Sequence, residues 1–339
     1  MDGRRLVLTK AGPPSTMAVE RFAPAAPGPG EVLVKVAFSG INFADLLQRL
    51  GFYNPRPPYP FTPGYEASGH VEAVGTGVTH LEVGQAVIAV PGTGAHTSHL
   101  VCDAGLVMPL PEGMTLEQGA ALPVTYLTAH HMLHHLGGLK PGHTVLVHGG
   151  AGGVGTAALQ LCRWAGSGQV WATASAPKRG IVEALGGTFV DRHAEDFVAL
   201  IKQATNGRGV DHVLDPIGGT HLERSLSCVA EGGRLYTYGL SQVAPSGRRR
   251  LLHALVTLRR RTNVDPLRLM NRNRTVHGVH MGTWADRSAL MPQIERLLHG
   301  VVEGHLAPVI DRTFPVEDAA VAHQHLHNGA NVGKVLLSF

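Results

Sequence analysis

VLVHGGAGGVGTAALQ, residues 145–160, is the stretch on which the fold turns. TVLVH (144–148) is short, apolar and β-branched, the composition of a buried strand. GVGTAALQLCRWAG (153–166) then spaces its apolar residues for one face of a helix. Between strand and helix, Gly150, Gly152 and Gly155 form G-x-G-x-x-G. Gly150 permits a tight turn, Gly152 lets backbone approach a pyrophosphate, and Gly155 lets helix and strand pack closely. The helix N-terminus adds free N–H groups and a partial positive charge, so the segment predicts a dinucleotide-binding turn.

Downstream, strand and helix alternate. QVWATA (169–174), TFV (188–190), VDHVLD (210–215), RLYTYG (234–239) and TVHGVHM (275–281) read as strands. Helices are expected from near Pro177 and over about 194–205. Strands alternating with helices imply a doubly wound parallel sheet. Upstream of Pro123 the texture changes to short strands between Gly/Pro turns, among them EVLVKVAF (31–38), HVEAVG (70–75) and QAVIAV (85–90), which predicts a barrel-like β domain. Residues 304–339 return to β character, end in KVLLSF, and are expected to rejoin that domain. The expected organisation is 1–123, 124–303 and 304–339, an α/β protein with a β-barrel domain and a Rossmann domain.

The 339 residues suit two lobes. No stretch approaches 18 uninterrupted apolar residues, and the N-terminal apolar run is too short for a signal peptide. Three scattered cysteines provide no disulfide framework, which fits a reducing cytoplasm. Residues 247–274 carry nine Arg against one Asp, so the net charge of +4 comes from this segment alone. Leu251, Leu255 and Leu258 recur there at helical spacing. Such a segment can lie on an anionic membrane, receive an acidic acyl carrier protein, cap a cleft, or be a solvated helix beside a dimer contact. No nucleic-acid recognition motif accompanies it.

The strand expected to end at WATASA (171–176) lacks the acid that an NAD site carries for the ribose hydroxyls. Its absence admits a 2′-phosphate, with Lys178 and Arg192 as partners or as ordinary surface cations. NADPH is therefore the expected cofactor. Among the 21 histidines, His130/His134 and His131/His135 lie at i, i+4, and His323, His325 and His327 cluster. The first pairs lack the intervening Glu of a zinc-protease motif, and no metal is expected at either place.

GINFADLLQRLGFY (40–53), PGYEASGHVEAVGTGV (63–78), VGQAVIAV (83–90), HGGAGGVG (148–155) and NVGKVLL (331–337), in this order, resemble the medium-chain dehydrogenase/reductase superfamily. Within it the chain looks most like the zinc-free quinone oxidoreductase branch that includes ζ-crystallin, and there the vesicle amine transport protein group. The resemblance implies a GroES-like catalytic domain, a Rossmann domain, a cofactor in the cleft between them, and a homodimer. It implies that Gly152, Gly153, Val154 and Gly155 hold the pyrophosphate and that Lys178 meets the adenosine phosphate. Arg192 falls where relatives usually have Tyr. Thr128, Tyr238, Gly239, Val279, His280 and Met281 would line the nicotinamide end, and Asn331 would bind cofactor.

Zinc-dependent relatives have a Cys or Asp where this chain has Asn42, and G-H-E where it has Gly64-Tyr65-Glu66. An amide and a phenol do not replace thiolate and imidazole as ligands. A metal-free site must polarise the acceptor with hydrogen bonds. The expected chemistry is conjugate reduction of an enone, enal or quinone by NADPH hydride. Asn42 would stabilise the developing oxyanion, and Tyr53 or water would supply a proton. Asn42 equally reads as a cap for the helix FADLLQRL, Tyr53 as a packing residue, and Asp45 as a first-turn acid. Two other readings stand beside this one. The first is a membrane- or partner-associated protein with little turnover. The second is a tailoring reductase acting on a carrier-bound acyl chain.

Overall fold

The computed structural model describes residues 2–54, 56–243, 264–284, 286 and 289–339. The chain divides into two units, one holding Met1–Thr125 and Arg296–Phe339, the other beginning at Tyr126 and ending at Glu295. The first junction lies two residues beyond the expected one, inside the helix Pro123–His130, and the second lies eight residues before it.

In the first unit, β1 (Gly3–Leu8) and β2 (Met17–Phe22) form an antiparallel ribbon. β3 (Glu31–Ile41), β4 (Ala67–Val74), β5 (Ala86–Ala89), β6 (His99–Asp103) and β7 (Val107–Pro109) share a seven-stranded sheet with two late strands. Val32, Leu33, Val34 and Val36 of β3 are buried while Lys35 is exposed, so the strand is covered on one face and largely on the other. β3 runs three residues past the expected end because Phe38–Ile41 pairs with a strand some 300 residues later.

The second unit holds β8 (Val145–His148), β9 (Val170–Ala174), β10 (Thr188–Asp191), β11 (Val210–Asp215), β12 (Val229–Thr237) and β13 (Thr275–Gly278). All pairs are parallel, in the order β10-β9-β8-β11-β12-β13. This is the doubly wound 3-2-1-4-5-6 arrangement, whose direction reverses between β8 and β11. β8 and β9 are buried throughout, as expected of strands covered on both faces. Helix Gly153–Trp164 follows β8, and helix Phe197–Ala204 starts where the Asp196 carboxylate accepts from Val198 N. The helix expected near Pro177 begins as a 3₁₀ turn, Ala176–Lys178, and continues as Arg179–Ala184. Helix His221–Ser227, between β11 and β12, has no counterpart in the sequence reading.

The return segment supplies β14 (Ile310–Pro315) and β15 (Lys334–Ser338) to the first unit, with β15 antiparallel to β3. Helix Ala319–His327 lies between them in sequence. Most of the arginine-rich 247–274 segment falls outside the described residues. Its described end holds the short helix Pro266–Met270, capped by Asp265, with Arg268 paired to Glu223 at 3.1 Å. Among the described residues, no helix is long and apolar enough to cross a membrane.

Candidate cofactor and catalytic site

In the second unit the glycine loop follows β8 directly. Gly149 takes φ +68°, and Gly152 caps the helix without a side chain. A Cβ on Gly150 would sit 2.5 Å from the Ala172 side chain, and one on Gly155 would sit 2.2 Å from Gly149 O. Both contacts are forbidden, so these positions need glycine for close packing. A Cβ on Gly152 would meet only Gly149 O at 3.3 Å, so that position stays open to a ligand. The first helical bond runs from Thr156 N to Gly152 O at 2.8 Å, which leaves the Gly153, Val154 and Gly155 N–H groups ahead of the ladder. This cradle fits a pyrophosphate.

β9 ends at Ala174 with no acid of its own. Lys178 closes the following 3₁₀ turn and is half-buried. Arg192 is exposed, and its Nε reaches His193 Nε2 at 3.0 Å. The sequence reading missed Asp191, which ends β10 directly opposite Ala174. Its carboxylate accepts from His193 N at 2.9 Å and so is turned into its own loop. Tyr238 N donates to Asp215 O, and a Cβ on Gly239 would lie 2.5 Å from Pro216 O, so both follow the β11 turn closely. Val279 N continues the ladder to Thr237 O, and His280 and Met281 lead into a 3₁₀ turn. Thr128 is buried on helix Pro123–His130.

In the first unit the structure gathers a buried polar cluster around the start of helix Phe43–Leu50. Lys334 Nζ donates to Asn42 Oδ1 at 2.6 Å and pairs with Glu66 Oε1. Asn42 Nδ2 donates to Glu66 Oε1 at 2.8 Å and approaches Gly40 O at 3.3 Å. Glu66 Oε2 accepts from Val124 N at 2.7 Å. Asn42 N donates to Asp45 Oδ2 at 2.8 Å, so Asp45 sits in the first helical turn and holds the helix start. Gly40 is required beside this cluster, because a Cβ there would lie 2.6 Å from Lys334 Cε. Both Asn42 amide hydrogens thus have acceptors within the chain, and donation to a substrate requires one of these bonds to open.

Tyr53 stands edge-on to Tyr65 with ring centroids 6.3 Å apart. Burial above all pushes both phenols up, and the Asp45 charge adds to this, so each stays protonated and able to donate. Asn331 Nδ2 donates to Gly333 O at 2.7 Å, fixing the turn that delivers Lys334. The roles of Glu66 and Lys334 were missed. Their signal was present, a lone acid and a lone base at the starts of apolar strands, but not the fact that they meet.

The histidine pairs stack within the helix. His130 stacks on His134 and His131 on His135, and the run His131–Leu136 forms a π-helical turn. His212 on β11 is buried between His143 and Tyr236, each at 3.0 Å. Burial first, then the neighbouring His143, push it down to about 3; burial and then His135 push buried His131 down to about 4. Each therefore binds fewer protons folded than unfolded, where a free His titrates near 6.5. Stability then rises with pH up to about 6.5 and falls on acidification below it, by about 1.4 kcal/mol per pH unit for each group. Denaturant unfolding followed from pH 7.5 to pH 5 should show this decline, and His212→Gln should make it shallower by that group's share, leaving the share of His131 in place. A flat profile in the parent protein would contradict the neutral buried imidazoles.

Residues 28–112 match the alcohol dehydrogenase GroES-like domain, and residues 185–337 match a domain described as zinc-binding dehydrogenase. The chain is 38% identical to the rat synaptic vesicle membrane protein VAT-1 homolog over 98% of its own length and 83% of the relative's. The chain belongs to the medium-chain dehydrogenase/reductase superfamily. The Escherichia coli quinone oxidoreductase solved with NADPH superposes with TM-score 0.87 at 29% identity, covering 99% of this chain and 100% of that one. CurK enoyl reductase superposes with TM-score 0.85 at 26% identity, covering 99% of each. At this level the protein is an oxidoreductase with GroES-like and Rossmann units.

The residues at Asn42, Tyr65 and Glu66, where zinc-dependent relatives carry their ligands, do not fit a zinc ion at that place. Glu66 is engaged by the Lys334 ammonium and the Asn42 amide, and Tyr65 is a protonated phenol. A divalent cation there would meet an ammonium instead of converging imidazole and thiolate donors.

Proposed function

We propose that this superfamily member is an NADPH-dependent, zinc-independent reductase of activated C=C bonds or quinones. The carrying observation is the side-chain-free glycine cradle at the reversal point of a 3-2-1-4-5-6 sheet, followed by a strand that ends without an acid. The quinone oxidoreductase and enoyl reductase likenesses support the acceptor class. When bound, NADPH supplies a hydride equivalent to an electron-poor carbon.

The chain's own residues do the rest. Gly152, Gly153, Val154 and Gly155 bind phosphate through backbone N–H groups, and Gly150 keeps the turn tight. Lys178 and Arg192 offer charge to a 2′-phosphate. Thr128, Tyr238, Gly239, Val279, His280, Met281 and Asn331 position the remainder of the cofactor. Tyr53, held protonated by burial, donates to the acceptor's carbonyl oxygen as charge develops there. Asn42, gripped by Lys334 and Glu66, stabilises the same oxygen by releasing one internal bond. The acting form is a homodimer.

The test is stopped-flow oxidation of NADPH and NADH against a panel of enones, enals and quinones. NADPH should be consumed with at least one acceptor. Tyr53→Phe should lower the rate by about 100-fold or more while NADPH affinity stays the same. No turnover with any acceptor, despite tight NADPH binding, would favour a second reading suggested by the rat relative's name. In that reading the protein retains the cofactor fold and associates with anionic vesicles through residues 247–274, with a salt-sensitive affinity. An acyl carrier protein delivering substrate to the same basic segment would instead raise turnover of carrier-bound enoyl chains. Equal use of NADH would remove Lys178 and Arg192 from phosphate recognition.

A further inference from the structure

We propose that the Rossmann unit contains a buried site for a divalent transition metal of the zinc class, formed by His148, Asp215, His221 and Ser225. Among the described residues, His148, Asp215 and His221 are the group of three or more metal-binding side chains whose donor atoms converge, all within 4.8 Å of one another. His148 ends β8 and Asp215 ends β11, the two strands that flank the reversal of strand order. His221 and Ser225 lie one helical turn apart on helix His221–Ser227, so both face those strand ends.

The donor atoms already approximate a coordination polyhedron. His221 Nδ1 is 3.0 Å from Asp215 Oδ2, and Ser225 Oγ is 2.6 Å from the same oxygen. Ser225 Oγ is also 3.1 Å from His148 Nε2 and 3.3 Å from His221 Nδ1. A tetrahedral zinc with nitrogen and oxygen ligands at about 2.0–2.1 Å requires ligand–ligand edges of about 3.3 Å. The contacts of Ser225 and the His221–Asp215 pair need only widen slightly, while His148, whose donor lies within 4.8 Å of those of Asp215 and His221, must move in to admit the ion.

The surroundings aim these atoms inward. The other nitrogen of His148, Nδ1, lies 3.1 Å from Thr173 Oγ1, and the other oxygen of Asp215, Oδ1, accepts from Ile217 N at 2.7 Å and Gly218 N at 3.0 Å. Outer partners of this kind set the tautomer of a ligating His and orient a ligating carboxylate. His148, Asp215 and Ser225 are fully buried, so the ion would be shielded from water while His221 reaches toward the surface. Without metal, His221 N–H and Ser225 O–H donate to Asp215. With metal, His221 carries its proton on Nε2 and Ser225 binds as a neutral hydroxyl. His148 immediately precedes Gly149, and Asp215 O receives Tyr238 N, so the ion would tie together both loops of the dinucleotide edge.

The experiment needs neither acceptor nor cofactor. Chelator-stripped full-length protein is titrated with Co²⁺, then Zn²⁺, and followed by absorbance and metal analysis. The expected result is one equivalent bound, intense visible bands of tetrahedral cobalt, displacement by zinc, and a higher melting temperature. Thr173→Val should weaken binding by about 10- to 100-fold, because it removes only the outer partner of His148. His221→Phe, at a partly exposed position stacked on Phe197, should abolish it without emptying the core. Failure of the parent protein to bind cobalt would overturn the proposal. So would undiminished binding by a folded His221→Phe variant, which would place the metal elsewhere. NADPH binding, assayed separately, keeps this outcome distinct from that of the reductase reading.

Discussion

Replacing Lys334 with Met should cost about 3–5 kcal/mol of stability, the penalty for breaking a buried ion pair from one side. Lys334 is 3% exposed and Glu66 0%, so neither charge has water to fall back on. With the ammonium gone, Glu66 retains hydrogen bonds from Asn42 and Val124 but no counter-charge. Met fills much of the volume of the lysine stem, so the loss measures charge more than cavity. The double variant Lys334→Met/Glu66→Gln removes both charges and should recover most of the loss. Denaturant unfolding of the two single variants and the double variant provides the cycle. A single-variant loss below about 1 kcal/mol would show the pair to be screened after all. A double variant worse than both singles would mean that the cluster depends on hydrogen-bond shape more than on charge.

Gly155→Ala is the second large effect. The added Cβ would lie 2.2 Å from Gly149 O and 2.7 Å from Gly150 Cα, both rigid backbone atoms. Overpacking of this kind costs about 1–3 kcal/mol. The chain can relieve it only by moving the glycine turn away from the helix start, which scatters the N–H groups meant for the phosphates. NADPH affinity should therefore fall about 10- to 100-fold by calorimetry. Gly180→Ala is the control in the same unit. That helical glycine has nothing within 4 Å of an added Cβ, so the substitution should leave NADPH affinity unchanged and stabilise slightly. Unaltered binding by Gly155→Ala would remove the glycine turn from the cofactor site.

Both variants act on features that differ in how visible they are along the chain. The turn at 149–155 is legible because its causes are local: a β-branched run, three glycines at fixed spacing, and a helix that must start without a side chain. β8 and β9 were legible for the same reason, since strands buried throughout are short, mostly apolar runs. Helix His221–Ser227 was not, because its seven residues show no periodic face and, unlike the helix that starts at Ala176-Pro177, no proline marks its beginning. The absence of an acid after β9 could be read from sequence. The presence of Asp191 beside that strand end could not, because it depends on which strands are neighbours.

Sequence alone therefore determined the two-textured architecture, the glycine turn between β8 and its helix, and the family, because each is written in short-range pattern. The tertiary structure decided which distant side chains share a dry space. Lys334 meets Glu66 across 268 residues, and His148 meets Asp215 where the strand order reverses. Those meetings are products of sheet pairing, and no periodicity along the chain encodes them. They also decide the chemistry, since charge and ligation depend on distance in space and not on separation in sequence.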